Sequence, residues 1–236
     1  VSQEFPPVAD VPGAFTTIVL EAFAARTGPR FTLMLSGGPT AQVCYEHLSA
    51  ATIAGETPLA ASFAWSLVDI YMGDERVVPP DDKDANQRLV REAIVDRVGP
   101  IGSFTPMPTV GGIDACVQEY QGILAGVVGD GGPGIDLIHL GLGADGHTAS
   151  LFPHAPTLFV GPNQLVAATE DPNGRNPHPR LTVTLPVIDG ARLAVFTVTG
   201  ESKRAAVASL RQGDDIPALR VATERIVWLI DEAASG

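Results

Sequence analysis

Two cysteines in 236 residues, aromatic side chains at only 6% and a shortage of basic residues limit what this chain can be. Two thiols make neither a disulfide framework nor a thiolate metal cluster. Cys44 and Cys116 each fall in a segment of helical pattern, which predicts reduced, buried side chains. Fifteen Lys and Arg against 27 Asp and Glu give a net charge of −12, with no basic block, so nucleic acid and anionic membranes would repel the chain. Long hydrophobic runs are missing too: no uninterrupted apolar stretch reaches the roughly 18 residues of a spanning helix. The first residues also lack the basic-then-apolar pattern of a secretory leader. The expectation is a cytoplasmic protein with no nucleic-acid or membrane partner. What the chain has in quantity is apolar residues, 45%, punctuated by 25 glycines and 20 prolines. That is enough to bury a large core. One domain over residues 1–236 is expected, because there is no internal repeat and the one linker-like stretch, Asp171 to Pro179, is too short to separate domains. A monomer is the expected state, with a dimer as the alternative.

Periodicity predicts strands alternating with helices. Asp10-Val11-Pro12 opens a helix to about Arg26, and Phe31 to Leu35 reads as a short buried strand. Ser36-Gly37-Gly38-Pro39-Thr40 then turns the chain into a second helix. Further strands are predicted at Trp65–Met72, Ile135–Leu140, Leu165–Thr169, Leu181–Leu185, Leu193–Val198 and Ile226–Ile230. Helices are expected at about Ala85–Val98, Asp114–Val128 and Ser202–Leu210, with loops at Gly73–Asp84 and Gly99–Gly112. This order implies an α/β, Rossmann-like fold, a largely parallel sheet with helices on both faces. Ligands bind such sheets beyond the carboxyl ends of the strands. Four polar motifs follow predicted strands and would meet on that rim.

The most informative run is Gly141-Leu142-Gly143-Ala144-Asp145-Gly146-His147-Thr148-Ala149-Ser150, which sets Asp145 and His147 among glycines. Glycine lets backbone approach a ligand, and histidine is the side chain suited to moving protons near neutral pH. In the Ser36 to Thr40 turn, Gly37 and Gly38 let the backbone curl while amides and the Ser36 and Thr40 hydroxyls face outward, an arrangement suited to phosphate. It lacks the lysine of a Walker A loop and the third glycine of a dinucleotide fingerprint. In Gly73-Asp74-Glu75-Arg76, Arg76 is placed to hold an anion or an oxyanion, oriented by Asp74 or Glu75. Asn86 is either a further ligand or a helix cap. Arg180 and Lys203 stand near strand ends in a chain poor in cations, and Lys203 at a helix N-terminus opposes the dipole, which favours a bound anion there. His47, His139, His154 and His178 read as packing or surface residues, and no metal-ligand spacing occurs.

The ordered set LSGGPT (35–40), GDERVVP (73–79), GLGADGHTASLFP (141–153), RLTVTLPVI (180–188) and GESK (200–203) resembles the 6-phosphogluconolactonases, in the superfamily that also holds the glucosamine-6-phosphate isomerases and deaminases. The resemblance runs from about Ala14 to Ile230. It implies hydrolysis of 6-phospho-D-glucono-1,5-lactone to 6-phosphogluconate in the oxidative pentose phosphate pathway, without metal or organic cofactor. Two positions depart from the pattern. Pro39 stands where serine or threonine is common, removing an amide donor, and Ala85 stands in Asp-Ala-Asn where Asp-Ser-Asn is usual.

Hydrolysis of a δ-lactone needs a base for water, a cation or donor for the tetrahedral oxyanion, and a hold on the substrate. His147 is the expected base, Asp145 its orienting partner and Arg76 the oxyanion stabiliser. Ser36 to Thr40, with Arg180 and Lys203, would hold the phosphate. The nearest rival is an amino-sugar-phosphate deaminase, whose family usually carries an Asp-Glu-Tyr type motif where this chain has Asp74-Glu75-Arg76. A non-catalytic sugar-phosphate sensor is a third reading, but no output module is left over in the chain.

Overall fold

The computed structural model describes residues 5–174 and 177–236. The first helix, α1 (Val11–Ala24), starts where Asp10 caps it: the carboxylate accepts the Gly13 amide at 3.0 Å, with a proline in the first turn. The apolar run Phe31–Leu35 forms β1, every residue buried. Then come α2 (Pro39–Ala54), α3 (Pro58–Ser62), β2 (Val68–Met72), β3 (Asp74–Arg76), α4 (Asn86–Val90), β4 (Ser103–Thr105), α5 (Ile113–Val128) and β5 (Leu137–Gly141). The chain finishes with β6 (Val166–Thr169), β7 (Arg180–Val183), α6 (Leu185–Asp189), β8 (Ala194–Val198), α7 (Arg204–Gln212), β9 (Ile226–Ile230) and α8 (Glu232–Ser235).

Six strands form one parallel sheet in the order β4-β2-β1-β5-β8-β9, flanked by helices. This is the expected α/β architecture. From β1 the chain works outward through β2 and β4, then returns to β5 on the other side of β1 and works outward again through β8 and β9. The order therefore reverses between β1 and β5. At such a switch point the loops leaving the two central strands diverge and open a crevice. Those loops are Ser36–Thr40 and Gly141–His147. The core beneath is one continuous apolar cluster that includes Phe15, Tyr45, Leu48, Ile70, Leu140 and Phe196.

The structure differs from the sequence expectations in several places. Asp74–Arg76, read as part of a loop, is β3, which pairs antiparallel with β7, Arg76 opposite Arg180. With β6 these strands form a second, three-stranded antiparallel sheet, so the strands expected near 165–169 and 181–185 do not join the main one. Three consecutive charges carry no alternating pattern, and the partner strand lies about a hundred residues away, so only tertiary pairing makes this strand. The helix expected over 85–98 is α4 followed by a wider π-type turn, Arg91–Val95. The loop 99–112 contains the edge strand β4. Within the Asp171–Pro179 stretch, residues 175 and 176 lie outside the described residues. Among the described residues no helix is long and apolar enough to cross a membrane.

Candidate active site

The crevice at the switch point holds a cavity of about 510 Å³, lined by Ser36, Gly37, Gly38, Thr40, Asp74, Arg76, Asn86, His147, Arg180 and Lys203 among others. These are all the site residues expected from sequence except Asp145, which sits directly behind His147. Residues from five distant segments thus share one space.

The imidazole is held from behind. His147 Nδ1 lies 2.6 Å from Asp145 Oδ1, whose other oxygen accepts Asn173 Nδ2 at 3.1 Å. A carboxylate accepts only, so the ring proton sits on Nδ1 and the lone pair on Nε2. Burial works to raise the Asp145 carboxyl, but its hydrogen bond to His147 and the ring's charge outweigh this and hold it down at about 2. The ring lies so close to Gly143 that a Cβ there would stand 2.1 Å from Nδ1, so this position requires glycine. Phe152 completes the support: its ring is 4.8 Å from the imidazole and 5.6 Å from the Arg180 guanidinium.

The facing wall is cationic. Arg180, only 3% exposed, donates through Nη1 to Ser150 Oγ at 3.1 Å, and Ser150 in turn donates to Asp74 Oδ2 at 2.7 Å. Arg180 and Asp74 are 3.8 Å apart. Burial lowers the Arg180 pKa, partly offset by Asp74. Arg76 donates through Nη1 to the Asp84 carbonyl at 2.5 Å. The Nε groups of both arginines and Oδ1 of Asn86 are buried with no hydrogen-bond partner among the described residues. A buried, unpaired polar atom costs free energy, which a ligand in the cavity would relieve. Lys203 also lines the cavity, where burial lowers its pKa and Asp145 works against that. It makes no ion pair among the described residues. A chain of net charge −12 has therefore gathered three cations around one crevice. That is the potential an anionic ligand needs.

Two expected roles change. Neither Asp74 nor Glu75 bonds the Arg76 guanidinium. Asp74 accepts from Ser150 and from Asn86 Nδ2 at 3.1 Å, so it serves Arg180 and Asn86 instead. Glu75, fully buried, accepts the backbone amides of Arg76, Asn86 and Gln87, each at 2.7 Å, and so clasps the two ends of the loop between them. Burial pushes its pKa up to about 7, against those amide donors. Asn86 does not cap α4, whose N-cap is Ala85; its side chain faces Asp74 and packs on Gly37, where a Cβ would stand 1.8 Å from Oδ1.

Sequence reasoning missed several residues. Thr197, Thr199 and Ser202 line the cavity beyond β8, and the strand-end rule that found Lys203 applied equally to them. The Thr199 and Thr40 hydroxyls lie 2.6 Å apart, tying the α2 start to the β8 end. His139, expected to be a packing residue, is buried but also meets the cavity floor. Ser150 and Tyr45 gave no signal, because their partners come from other elements.

Fold and cavity together define a parallel-sheet α/β protein with a histidine–aspartate pair facing cations at its switch point. The sequence profile described as glucosamine-6-phosphate isomerases/6-phosphogluconolactonase matches residues 9–228. A 6-phosphogluconolactonase from Synechocystis is 37% identical over 93% of this chain and 88% of its own length. The structure of a 6-phosphogluconolactonase from Leishmania guyanensis superposes with a TM-score of 0.78 at 25% identity, covering 98% of both chains. A monomeric glucosamine-6-phosphate deaminase has the same fold, with a TM-score of 0.79 at 17% identity over 99% of both chains. The chain belongs to the glucosamine-6-phosphate isomerase/6-phosphogluconolactonase family, among its 6-phosphogluconolactonases.

Proposed function

We propose that this protein hydrolyses 6-phospho-D-glucono-1,5-lactone to 6-phospho-D-gluconate, the lactone-opening step of the oxidative pentose phosphate pathway. The observation that carries the reading is the Asp145–His147 pair, 2.6 Å apart, whose imidazole lines the same cavity as Arg76, Arg180 and Lys203.

His147 Nε2 takes a proton from water as the water oxygen attacks the lactone carbonyl carbon. Asp145 fixes the tautomer and stabilises the imidazolium that forms. The carbonyl oxygen becomes an oxyanion, and Arg76 neutralises it in a site partly screened from water. On collapse the ring C–O bond breaks, and His147 returns its proton to the departing ring oxygen, which becomes the C5 hydroxyl. The Ser36–Thr40 turn, Arg180 and Lys203 hold the phosphate, so the carbonyl meets the base in a fixed pose. Asp74 orients Arg180 and Asn86.

The test is a coupled assay in which glucose-6-phosphate dehydrogenase makes the lactone in situ, against the spontaneous opening rate. Wild type accelerates the decay, and His147→Ala and Arg76→Ala lose most of the acceleration, about 10²–10⁴-fold for the base. Ammonia release from glucosamine 6-phosphate, with no effect on the lactone, would favour the deaminase reading instead.

A further inference from the structure

Beneath the Ser36–Thr40 turn lies a buried polar chain of which the mechanism above uses only Ser36. Tyr45, Ser36, His139 and Thr197 are between 0 and 4% exposed. They belong to α2, the end of β1, β5 and β8, the elements that meet at the cavity floor. Ser36 N donates to the Tyr45 hydroxyl at 3.1 Å, and Ser36 Oγ donates to the His139 carbonyl at 2.9 Å. The Tyr45 hydroxyl is also 2.8 Å from the Ser36 carbonyl and 2.6 Å from His139 Nδ1, while His139 Nε2 is 2.8 Å from Thr197 Oγ1. Burial lowers the His139 pKa to about 3, so the ring is neutral and carries one proton.

Tyr45 has one proton and two acceptors within reach. If the hydroxyl donates to the Ser36 carbonyl, His139 carries its proton on Nδ1, and its bare Nε2 accepts a hydrogen bond from the Thr197 hydroxyl. Thr197 then shows the cavity only lone pairs, which repel an anion. If Tyr45 donates to Nδ1, the ring proton sits on Nε2 and donates to Thr197, whose own O–H is then free to turn from the neighbouring Cys44 thiol toward an anion in the cavity. The two arrangements hold the same number of protons and differ only in the imidazole tautomer.

We propose that His139, set in its Nε2–H tautomer by Tyr45, is a positioning residue that turns the Thr197 hydroxyl into a donor for an anion bound at the Ser36–Thr40 turn. The inference rests on the cavity being an anion site, and it does not require lactone chemistry.

Inorganic phosphate is the probe, titrated calorimetrically into the full chain, with the His139 ring followed by ¹⁵N NMR. In wild type, saturating phosphate brings the ring to the Nε2–H tautomer. Tyr45→Phe, which keeps the ring packing, and Thr197→Val each weaken phosphate about tenfold or more, the value of a lost hydrogen bond to a charged group. In the lactone assay the loss falls on KM rather than on kcat, a split that a merely loosened fold would not give. Wild-type phosphate affinity in both variants, or an Nδ1–H ring at saturation, overturns the proposal. If a variant fails to fold, the wild-type tautomer alone decides. Phosphate binding that behaves as described in a protein without lactonase activity would sink the proposed function and leave this inference standing.

Discussion

Replacing Asp145 with asparagine perturbs the site through two separable effects. The first is charge. The carboxyl is held down from 3.8 to about 2, nearly two units, and its hydrogen bond to His147 is what overcomes burial. That difference corresponds to about 2.5 kcal/mol. The pair is partly open to solvent, 19% exposed at Asp145 and 29% at His147, so water screens it to about 1–2 kcal/mol. Losing that stabilisation of the transition-state imidazolium costs about tenfold in kcat. The second effect is the proton position. If the new amide keeps its oxygen toward Nδ1, its NH₂ meets the Asn173 NH₂ at a site now 3.1 Å wide, donor against donor. If it turns over, its NH₂ faces Nδ1, forces the proton onto Nε2 and removes the lone pair that should take the proton from water. Together the two effects predict a fall in kcat of about 10²–10³-fold, with KM within a few-fold, because the phosphate-holding residues are untouched. The coupled lactone assay on freshly generated substrate measures both constants, and circular dichroism checks the fold. A folded Asp145→Asn enzyme with kcat within threefold of wild type would refute the tautomer argument.

Other outcomes follow from the same geometry. Lys203→Ala should raise KM for the lactone with little change in kcat, since Lys203 would hold the phosphate and not the reacting carbon; an unchanged KM would remove it from that role. In Gly143→Ala the new methyl meets the imidazole at 2.1 Å, so kcat should fall by at least tenfold while the melting temperature stays close to wild type, because the ring and not the core must move. Glu75→Gln tests a linkage. An acid whose folded pKa is about 7 against 4.5 unfolded adds stability fully present below pH 4.5 and lost as pH rises through 7, on the order of 3 kcal/mol. Denaturant melts at pH 5 and pH 8 should show that difference shrink in the variant; equal pH slopes in the two proteins would mean that Glu75 is not protonated in the fold. Arg180→Ala leaves the Asp74 carboxylate buried and unpaired, and unfolding should cost about 3–5 kcal/mol less. A variant as stable as wild type would show that the pair is not structural.

The main sheet was legible because its central strands are mostly apolar runs bounded by turn residues, as in Phe31–Leu35 and Ala194–Val198. A parallel strand buried on both faces leaves that pattern in the sequence. The second sheet was not legible. Asp74-Glu75-Arg76 looks like a solvated turn until Arg180–Val183 arrives to pair with it, and no local signal encodes that meeting. The site divides along the same line. Residues that touch the ligand space sit beside glycines at strand ends, where spacing and chemistry coincide, so Gly37, Arg76, His147 and Lys203 could be found. Residues that hold them in place, such as Ser150 and Tyr45, have partners as far as 94 positions away. Their side chains gave the pattern nothing to read. Asp74 shows the intermediate case: its place in the site was visible, but its partner was assigned to the neighbouring Arg76 when the fold gives it Arg180 and Asn86.

A crystal structure of the complex with 6-phosphogluconate tests the central claim most directly. The account predicts the phosphate against the Ser36–Thr40 turn within reach of Arg180 and Lys203, and the carboxylate between His147 Nε2 and Arg76. A product bound outside this crevice, or one whose carboxylate lies beyond the reach of His147, would contradict it.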